Sequence, residues 1–423
     1  MAIETLADLV LMRGGYDMGA PMQRTEPGQI SPSALFGDDL EAWISHSDSG
    51  EIVTPSTAYN FAAVQGAIRF LSELEAGFPC HLYRRLAGGR GKERARDHYL
   101  YPLLHDSPND EQTAFEFWQA MRQNRAAWGN AYALLRWAAN GKWTQAIPLR
   151  PDWMRVTRNP AGRKLYQYRP AWGPHAGDYL PDDLVHVRGM GDDLVGWSPI
   201  KLLRQDIGRG MGAGKASSAF FKNGARMSGV LTAQGKIRDE DADSFNKKYA
   251  GAHNTGKVLV IGDGSKFVST TIPPEDAQYL ETIKDAGRFV WMVYGIPPHL
   301  MGDTEKSTSW GTGIEQQVLG FQKFNLRSSL EMTQQAFELR LLGRGNRELF
   351  IEFDMDSLLQ ADAKTRADVL GVKRQNGIIN ANEWRSLDNQ NPIEGEAGEA
   401  YLVNGTMIPV TVALAKKNEP AAQ

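Results

Sequence analysis

The hydrophobic pattern changes period several times along the chain, and each change marks an element. Thr54, Pro55 and Ser56 form a helix start signal, and residues 59–75 then place Val64, Ile68 and Leu71 on one helical face. CHLYRR, at residues 80–85, reads as a strand. A second helix is expected over residues 113–128, with Phe117, Ala120 and Met121 facing inward. Five short strands follow, AYALLRW, QAIPLR, MRVTRN, KLYQYRP and LVHVRG, separated by Gly and Pro. This first half reads as an α+β domain.

The second half is more helical. Residues 199–221 have a helical pattern laden with glycine. A strand GVLTA, a helix over residues 239–249 and the strands KVLVI and KFVSTTI make a small α/β segment. Pro273 and Pro274 open the next helix, with Glu275 and Asp276 in its first turn, where carboxylates favour the helix dipole. It runs to about residue 294, and Pro297 and Pro298 stop it. The loop GDTEKSTSWGTG follows. The longest helix is expected over residues 312–342, roughly 45 Å at 1.5 Å per residue. Leu319, Leu326, Leu330, Phe337 and Leu341 fall on it at steps of seven and four, as one continuous apolar stripe. Lys323, Arg327 and Arg340 are its basic positions. The strand ELFIEFDM and helices over residues 361–375 and 381–387 complete the pattern. Residues up to about 51 are rich in Gly, Pro, Ser and Asp and are expected to form a poorly ordered arm, and those after 415 a disordered tail.

Composition narrows the function class. A chain of 423 residues exceeds one ordinary core and implies several domains or one elongated multi-part subunit. Hydrophobic residues at 42 % and charged residues at 23 % fit a folded globular chain. The net charge of -3 argues against tight binding of duplex DNA, which calls for a basic excess. It leaves room for a protein that touches DNA without holding it. Cys80 is the one cysteine, so an intramolecular disulfide and a multi-cysteine metal site are excluded. No run approaches the ~20 apolar residues that span a bilayer, and the N-terminal apolar stretch, carrying Glu4 and Asp8, makes a poor signal peptide.

Enzyme motifs fail one after another. In DIGRGMGAGKAS, Gly214-Lys215 is followed by Ala216, and Arg209 stands where a phosphate loop needs glycine. Gly208-x-Gly210-x-x-Ala213 satisfies a loose dinucleotide pattern but follows a helical stretch, not a strand. Helix packing explains the segment better: Gly208, Gly212, Ala216 and Phe220 share one stripe, and Gly210, Gly214 and Ser217 a neighbouring one. Four interior glycines cost roughly 3–4 kcal/mol against alanine, which close approach of a neighbouring helix would offset; a broken helix is the other reading. The eight histidines are scattered, without a zinc-protease arrangement. His299 reads as a packing or capping residue, and Asp354-x-Asp356 as a turn-capping pair before a metal site. No Gly-x-Ser-x-Gly elbow exists. The expectation is a protein without catalytic residues, metal or cofactor.

Three stretches resemble the portal family of tailed bacteriophages, in the branch shared with gene transfer agents. They are GWSPIKLL leading to FFKNGARMSGVLTAQGKI; IPPEDAQYLETIKDAGRFVWMVYGIPPHLMGD; and EQQVLGFQKFNL followed by FIEFDMDSLLQADAKTRADVL and QNGIINANEWRSLDNQNPIEG. Their order and spacing match, and the resemblance covers roughly residues 54–396. It implies an α+β fold in an elongated subunit: an arm (1–53), a wing (54–198), a first stem helix (199–223), a small α/β clip (224–272), a second stem helix (273–296), a tunnel loop (297–313), a long tunnel helix with a wing strand (314–355), a helical crown (356–396) and a tail (397–423). The first stem helix carries more glycine than related chains, which look rich in Ala and Glu.

The same resemblance implies roles for particular residues. Asp303, Thr304, Glu305, Lys306, Ser307, Thr308, Ser309 and Trp310 would face DNA from the tunnel loop. Their near neutrality suits a conduit that must not hold its cargo. Arg238, Asp239, Glu240, Asp241, Lys247 and Lys248 would form a polar docking face on the clip, against a solvated charged face as the plainer reading. Gly208, Gly212 and Ala216 would pack the stem. The implied partners are identical copies in a ring of twelve, double-stranded DNA passing non-specifically, the terminase large subunit, a head–tail adaptor and the major capsid protein, with no membrane. The implied location is the capsid portal vertex of a virion assembled in the host bacterial cytoplasm. The alternatives are a head–tail adaptor or minor capsid protein that never encloses DNA, and a nucleotide-dependent enzyme using the glycine-rich segment.

Overall fold

The structure is a computed structural model that describes residues 46–86, 91–222, 229–232, 266–269, 276–304, 312–355, 363–388 and 390–402. It divides into two compact units, Met1–Phe353 and Asp354–Gln423.

The first unit opens with α1 (Pro55–Ala58) and α2 (Ala62–Ala76). Thr54 and Thr57 form a reciprocal cap with Pro55 in the first turn, where a missing N–H costs nothing. The last residues of the expected arm, 46–53, fold back as a turn: Ser47 Oγ donates to the Glu51 carbonyl at 2.9 Å, and the Asp48 N–H donates to Gln205 Oε1 at 2.9 Å. Residues 1–45 lie outside the described residues. Next come β1 (Cys80–Arg85), β2 (Lys92–Arg94) and α3 (Leu100–His105), of which β2 and α3 have no clear sequence signal. In α4 (Ala114–Trp128), Thr113 caps the Glu116 N–H while Glu116 accepts from the Thr113 N–H. Gly129, at φ +75°, ends this helix in the left-handed conformation that glycine adopts freely.

Two three-stranded antiparallel sheets follow. One has the order β4-β3-β8, from β3 (Asn130–Trp137), β4 (Trp143–Leu149) and β8 (Leu184–Arg188). The other has the order β5-β6-β7, from β5 (Met154–Arg158), β6 (Lys164–Tyr168) and β7 (Gly177–Tyr179). Tyr132, Leu134, Leu149, Tyr166, Tyr168 and Leu184 form their shared core. His186 sits at its edge as a neutral ring. Asn130 Oδ1 accepts from His186 Nε2 at 3.0 Å, which leaves Nδ1 to accept from the Tyr166 hydroxyl at 3.3 Å. Burial, then the cations Lys164, Arg188 and Arg340, pushes its pKa down to about 3. Asn130 Oδ1 also accepts the Gly196 N–H at 2.7 Å. There Gly196 meets Gly129 so closely that a Cβ on Gly196 would lie 2.1 Å from the Gly129 carbonyl oxygen. This tight crossing joins the sheets to the next helices.

The expected helix over residues 199–221 is α5 (Pro199–Leu202) followed by α6 (Arg204–Lys222), with Leu203 outside helical geometry between them. β9 (Gly229–Thr232) pairs antiparallel with β10 (Lys266–Ser269). The helix expected over residues 239–249 and the strand KVLVI lie outside the described residues. α7 (Asp276–Val293) packs along α6 and is followed by a 3-10 turn, Pro298–Met301. The long helix then runs as α8 (Thr312–Gly320), a π-helical segment Phe321–Leu326, and α9 (Arg327–Leu341). β11 (Leu349–Phe353) closes the unit by pairing antiparallel with β1, Cys80 opposite Phe353 and Arg84 opposite Leu349.

A larger, helical core draws on the whole unit. It holds Val53, Phe61, Ile68 and Leu71 near the start, Ile200 and Ile207 in the middle, and Val290, Tyr294 and Phe321 near the end. Beside it lies a buried polar network. Arg122 Nε meets Glu75 Oε1 at 2.6 Å, Ser329 Oγ donates to the same oxygen at 2.6 Å, and Arg125 Nη1 donates to the Ser329 carbonyl and Thr333 Oγ1, each at 3.1 Å. Desolvation lowers the Arg125 pKa to about 10, with Arg122 adding to the effect and Glu75 opposing it.

The second unit holds α10 (Ala363–Gln375), α11 (Ala381–Leu387) and α12 (Glu396–Glu399). Polar groups frame it. Asn380 and Glu383 cap α11 reciprocally, and Arg374 Nη1 donates to the Ile379 and Ala400 carbonyls at 3.2 and 3.0 Å. Leu370 is buried, whereas Val369, Val372, Ile378 and Leu387 are exposed.

Candidate functional site

Of the candidate site residues from the sequence, the described ones lie on α6 and at the start of the loop that follows α7. In α6 the glycine stripes pack against different neighbours. A Cβ on Gly208 would lie 2.2 Å from Ser47 Oγ, and one on Gly212 would lie 3.5 Å from the Ser49 Cβ. That stripe therefore receives the turn at residues 46–53, and Ala216 farther along is exposed. The helix α7 approaches at Gly210 instead, where a Cβ would lie 2.7 Å from the Phe61 ring and 3.0 Å from the Ala286 Cβ. Gly208-x-Gly210 lies inside a helix, away from any strand-to-helix turn that could cradle a phosphate.

At the end of α7 the chain turns sharply. Tyr294 is buried and its hydroxyl donates to the Ala126 carbonyl at 2.9 Å; Gly295 takes φ +67°. Pro297 and Pro298 lead into the 3-10 turn, and Gly302 ends it at φ +83°. Asp303 is clamped from α7: Arg288 Nε donates to Asp303 Oδ2 at 2.6 Å, Nη2 donates to Oδ1 at 3.2 Å, and Arg288 also reaches Asp285 at 3.2 Å. The hydrogen bonds from Arg288 to Asp303 raise the arginine pKa, which fixes the positive charge in place. His299 has both ring nitrogens buried with no hydrogen-bond partner among the described residues. The root of the loop is thus held at Asp303 by a two-pronged ion pair, a geometry specific to arginine and carboxylate.

On the far side of the loop, the long helix departs from the sequence expectation. Leu326, Leu330 and Phe337 are buried as the apolar stripe requires, but Leu319 is 43 % exposed. The cause is the segment Phe321–Leu326, where the Arg327 N–H bonds to the Gln322 carbonyl five residues back. Such a turn takes up one residue more than an α-helical turn, so the stripe slips by about 100° across it. Phe321 fills the core in place of Leu319, with its ring 6.0 Å from that of Phe70. Asn325 Nδ2 donates to the Tyr294 carbonyl at 2.8 Å and ties this segment to the end of α7.

Of the predicted DNA-facing residues, Asp303 and Thr304 are described, at the root of the loop. Glu305, Lys306, Ser307, Thr308, Ser309 and Trp310 lie outside the described residues, as do Arg238, Asp239, Glu240, Asp241, Lys247 and Lys248. Sequence reasoning missed Arg288, Tyr294 and Asn325. Their roles depend on contacts across chain reversals that leave no local pattern. The groups present can fix a loop and present surfaces. Among the described residues, no cluster of three His, Cys, Asp or Glu side chains could hold a metal, and no helix is long and apolar enough to cross a membrane.

Comparison with known proteins gives a consistent relationship. The family model described as phage portal protein matches residues 62–389. The chain is 30 % identical over 405 residues to the probable portal protein of Streptomyces phage phiC31, covering 89 % of this chain and 87 % of that one. It is 28 % identical over 404 residues to the portal protein of Enterobacteria phage HK97, covering 94 % and 91 %. The fold is similar to a chain in the neck of a native gene transfer agent particle computed with C12 symmetry, with a TM-score of 0.54 and 21 % identity over 80 % of this chain and 94 % of that one. A crystallised HK97-family phage portal protein from Corynebacterium diphtheriae gives a TM-score of 0.54 at 14 % identity, covering 73 % and 98 %. With its α+β architecture and a family match that runs from α2 through α11, the chain belongs to the phage portal protein family.

Proposed function

We propose that identical copies of this chain close into a ring of twelve at one vertex of a capsid, and that double-stranded DNA threads the ring during packaging and ejection. The observation that carries this reading is the family match over residues 62–389, with curated portal proteins aligned along about nine tenths of the chain. The subunit's surface supports it. Leu280, Phe289, Met292 and Val293 on α7 and Phe324 in the π segment are exposed apolar side chains, an arrangement that favours burial against further copies. In this reading the segments described above serve as wing, stem, clip, tunnel loop, long helix and crown, with the boundaries given from the sequence. The subunit acts as a conduit and platform and performs no catalysis. The loop after Asp303 meets DNA with near-neutral chemistry, and the terminase large subunit and then the head–tail adaptor dock on the charged clip residues 238–248. Assembly takes place in the host cytoplasm, against the major capsid protein.

Electron microscopy and native mass spectrometry of the purified full chain test the proposal. The expected result is a closed ring of twelve with a central opening that admits a duplex. A monomer that persists at high concentration overturns it, and a ring too narrow for duplex DNA favours an adaptor that does not enclose DNA.

A further inference from the structure

The long helix holds one residue more than an unbroken α-helix of the same reach, and it holds it at one place. We propose that Phe321–Leu326 is a register switch: from this wide turn, Thr312–Gly320 can rotate by about 100° about the helix axis into a continuous α-helix with Arg327–Leu341.

Two apolar side chains compete for one position. In the observed register Phe321 is buried against Phe70, and Leu319 is left 43 % exposed. In the continuous register Leu319 falls two turns before Leu326 on the buried stripe, and Phe321 rotates away from the core. Each register buries one large hydrocarbon at the same level of the helix, so their hydrophobic terms largely cancel. A packed element with two such arrangements is bistable, not smoothly deformable.

A polar pin then decides the register. Asn325 Nδ2 donates to the Tyr294 carbonyl at 2.8 Å, a bond the wide turn makes possible. The opposite surface is shaped for it: a Cβ on Gly295 would lie 2.1 Å from that same Nδ2 atom. Any one residue of the wide turn can be counted as the surplus, and Phe324, 75 % exposed, is the one whose loss takes nothing from the core. The switch couples the end of α7 to the orientation of α8, because Tyr294 and Asn325 hold each other. It does not rest on ring closure.

Thiol labelling of the full chain tests the switch, in one assembly state throughout. Cys80 is buried, so Leu319→Cys supplies the reactive thiol. It is expected to react quickly with a maleimide in the parent chain. Adding Asn325→Ala removes the pin and slows the reaction by about twofold, as expected when the two registers become nearly equally populated. Gly295→Ala, which puts a methyl group where Asn325 Nδ2 lies, is expected to slow it by an independent route. Deleting Phe324 removes the surplus residue. The chain should then fold with α8 fixed in its observed orientation, and Leu319→Cys should react quickly whether or not Asn325 is present. Equal reactivity in the parent, Asn325→Ala and Gly295→Ala chains overturns the proposal. So does a chain that unfolds on deletion of Phe324, since the residue would then be no insertion.

Discussion

The two cores of the larger unit are assembled on different length scales. The sheet core takes its members from residues 132–184, and its polar edge is satisfied by Asn130, Tyr166 and His186 from the same stretch and its flank. The helical core collects residues from Val53 to Phe321, and the network beside it joins Glu75 to Ser329. A locally closed core forms with little loss of loop entropy, whereas one that waits for distant segments forms late and fails as a whole. The α6–α7 pair and the long helix both anchor in the long-range core. Their positions therefore report on the integrity of the entire unit, while the sheets make a stable frame beside them.

The sharpest way to break this contrast is Glu75→Ala. It leaves Arg122 and Arg125 facing each other in a buried site without their carboxylate. The expected cost is about 3–5 kcal/mol, the usual consequence of removing one member of a buried ion pair. Hydrogen exchange should show protection collapsing in α2, α4 and α9, with β3, β4 and β8 protected longer. Simultaneous loss in both regions would mean the two cores unfold as one. Next in size is Gly196→Ala at the crossing beside the sheets. The added methyl would sit 2.1 Å from the Gly129 carbonyl oxygen, so the backbone must move. A loss of about 1–3 kcal/mol is expected in denaturant titration, as for other overpacked sites.

What the sequence revealed follows the same division. Helix α4 was legible because Thr113 and Glu116 stand at capping-box spacing and Phe117 and Met121 keep the helical period. The strands of the sheet core were legible because each carries its own alternation and turn. The pairing of β1 with β11 was not, because partners such as Leu82 and Ile351 lie far apart in the chain. From sequence the long helix reads as one regular stripe because Leu319 and Leu326 stand seven apart, a spacing that presumes 3.6 residues per turn; the π segment breaks that presumption. The glycines of α6 showed close packing, but their neighbours, the turn at Ser47 for Gly208 and the Phe61 ring for Gly210, come from tertiary structure. The clamp of Arg288 on Asp303 spans a proline turn and has no sequence signature.

The titration of His186 sharpens the comparison from the other side, because that ring belongs to the sheet core. In the folded chain His186 takes up its proton only near pH 3, whereas its ordinary value is 6.5. The folded state binds fewer protons than the unfolded state between those values. The stability that neutral His186 contributes is therefore whole above about pH 6.5 and is lost as the pH falls toward 3, by at most about 1.4 kcal/mol per pH unit. His186→Gln keeps a donor for Asn130 and removes the titration. Its stability should vary less with pH in that window, as measured by denaturant unfolding at several pH values.

The smallest expected effect comes from a carboxylate two residues before Glu75 on the same helix. Glu73 pairs with Arg69 at 2.9 Å, one helical turn away, and its side chain is 44 % exposed while that of Arg69 is 71 % exposed. Water already solvates both charges, and holding two long side chains in one geometry costs entropy that offsets the Coulomb gain. Glu73→Ala should change stability by about 0.5 kcal/mol or less, a typical value for an exposed pair at this spacing. Added salt should shrink even that difference. The same substitution at Glu75 removes a carboxylate that no water replaces and strands two guanidinium groups. If the two variants unfold at similar denaturant concentrations, the network at Glu75 is hydrated in solution, and the helical core is held by its hydrocarbon packing instead of by its ions.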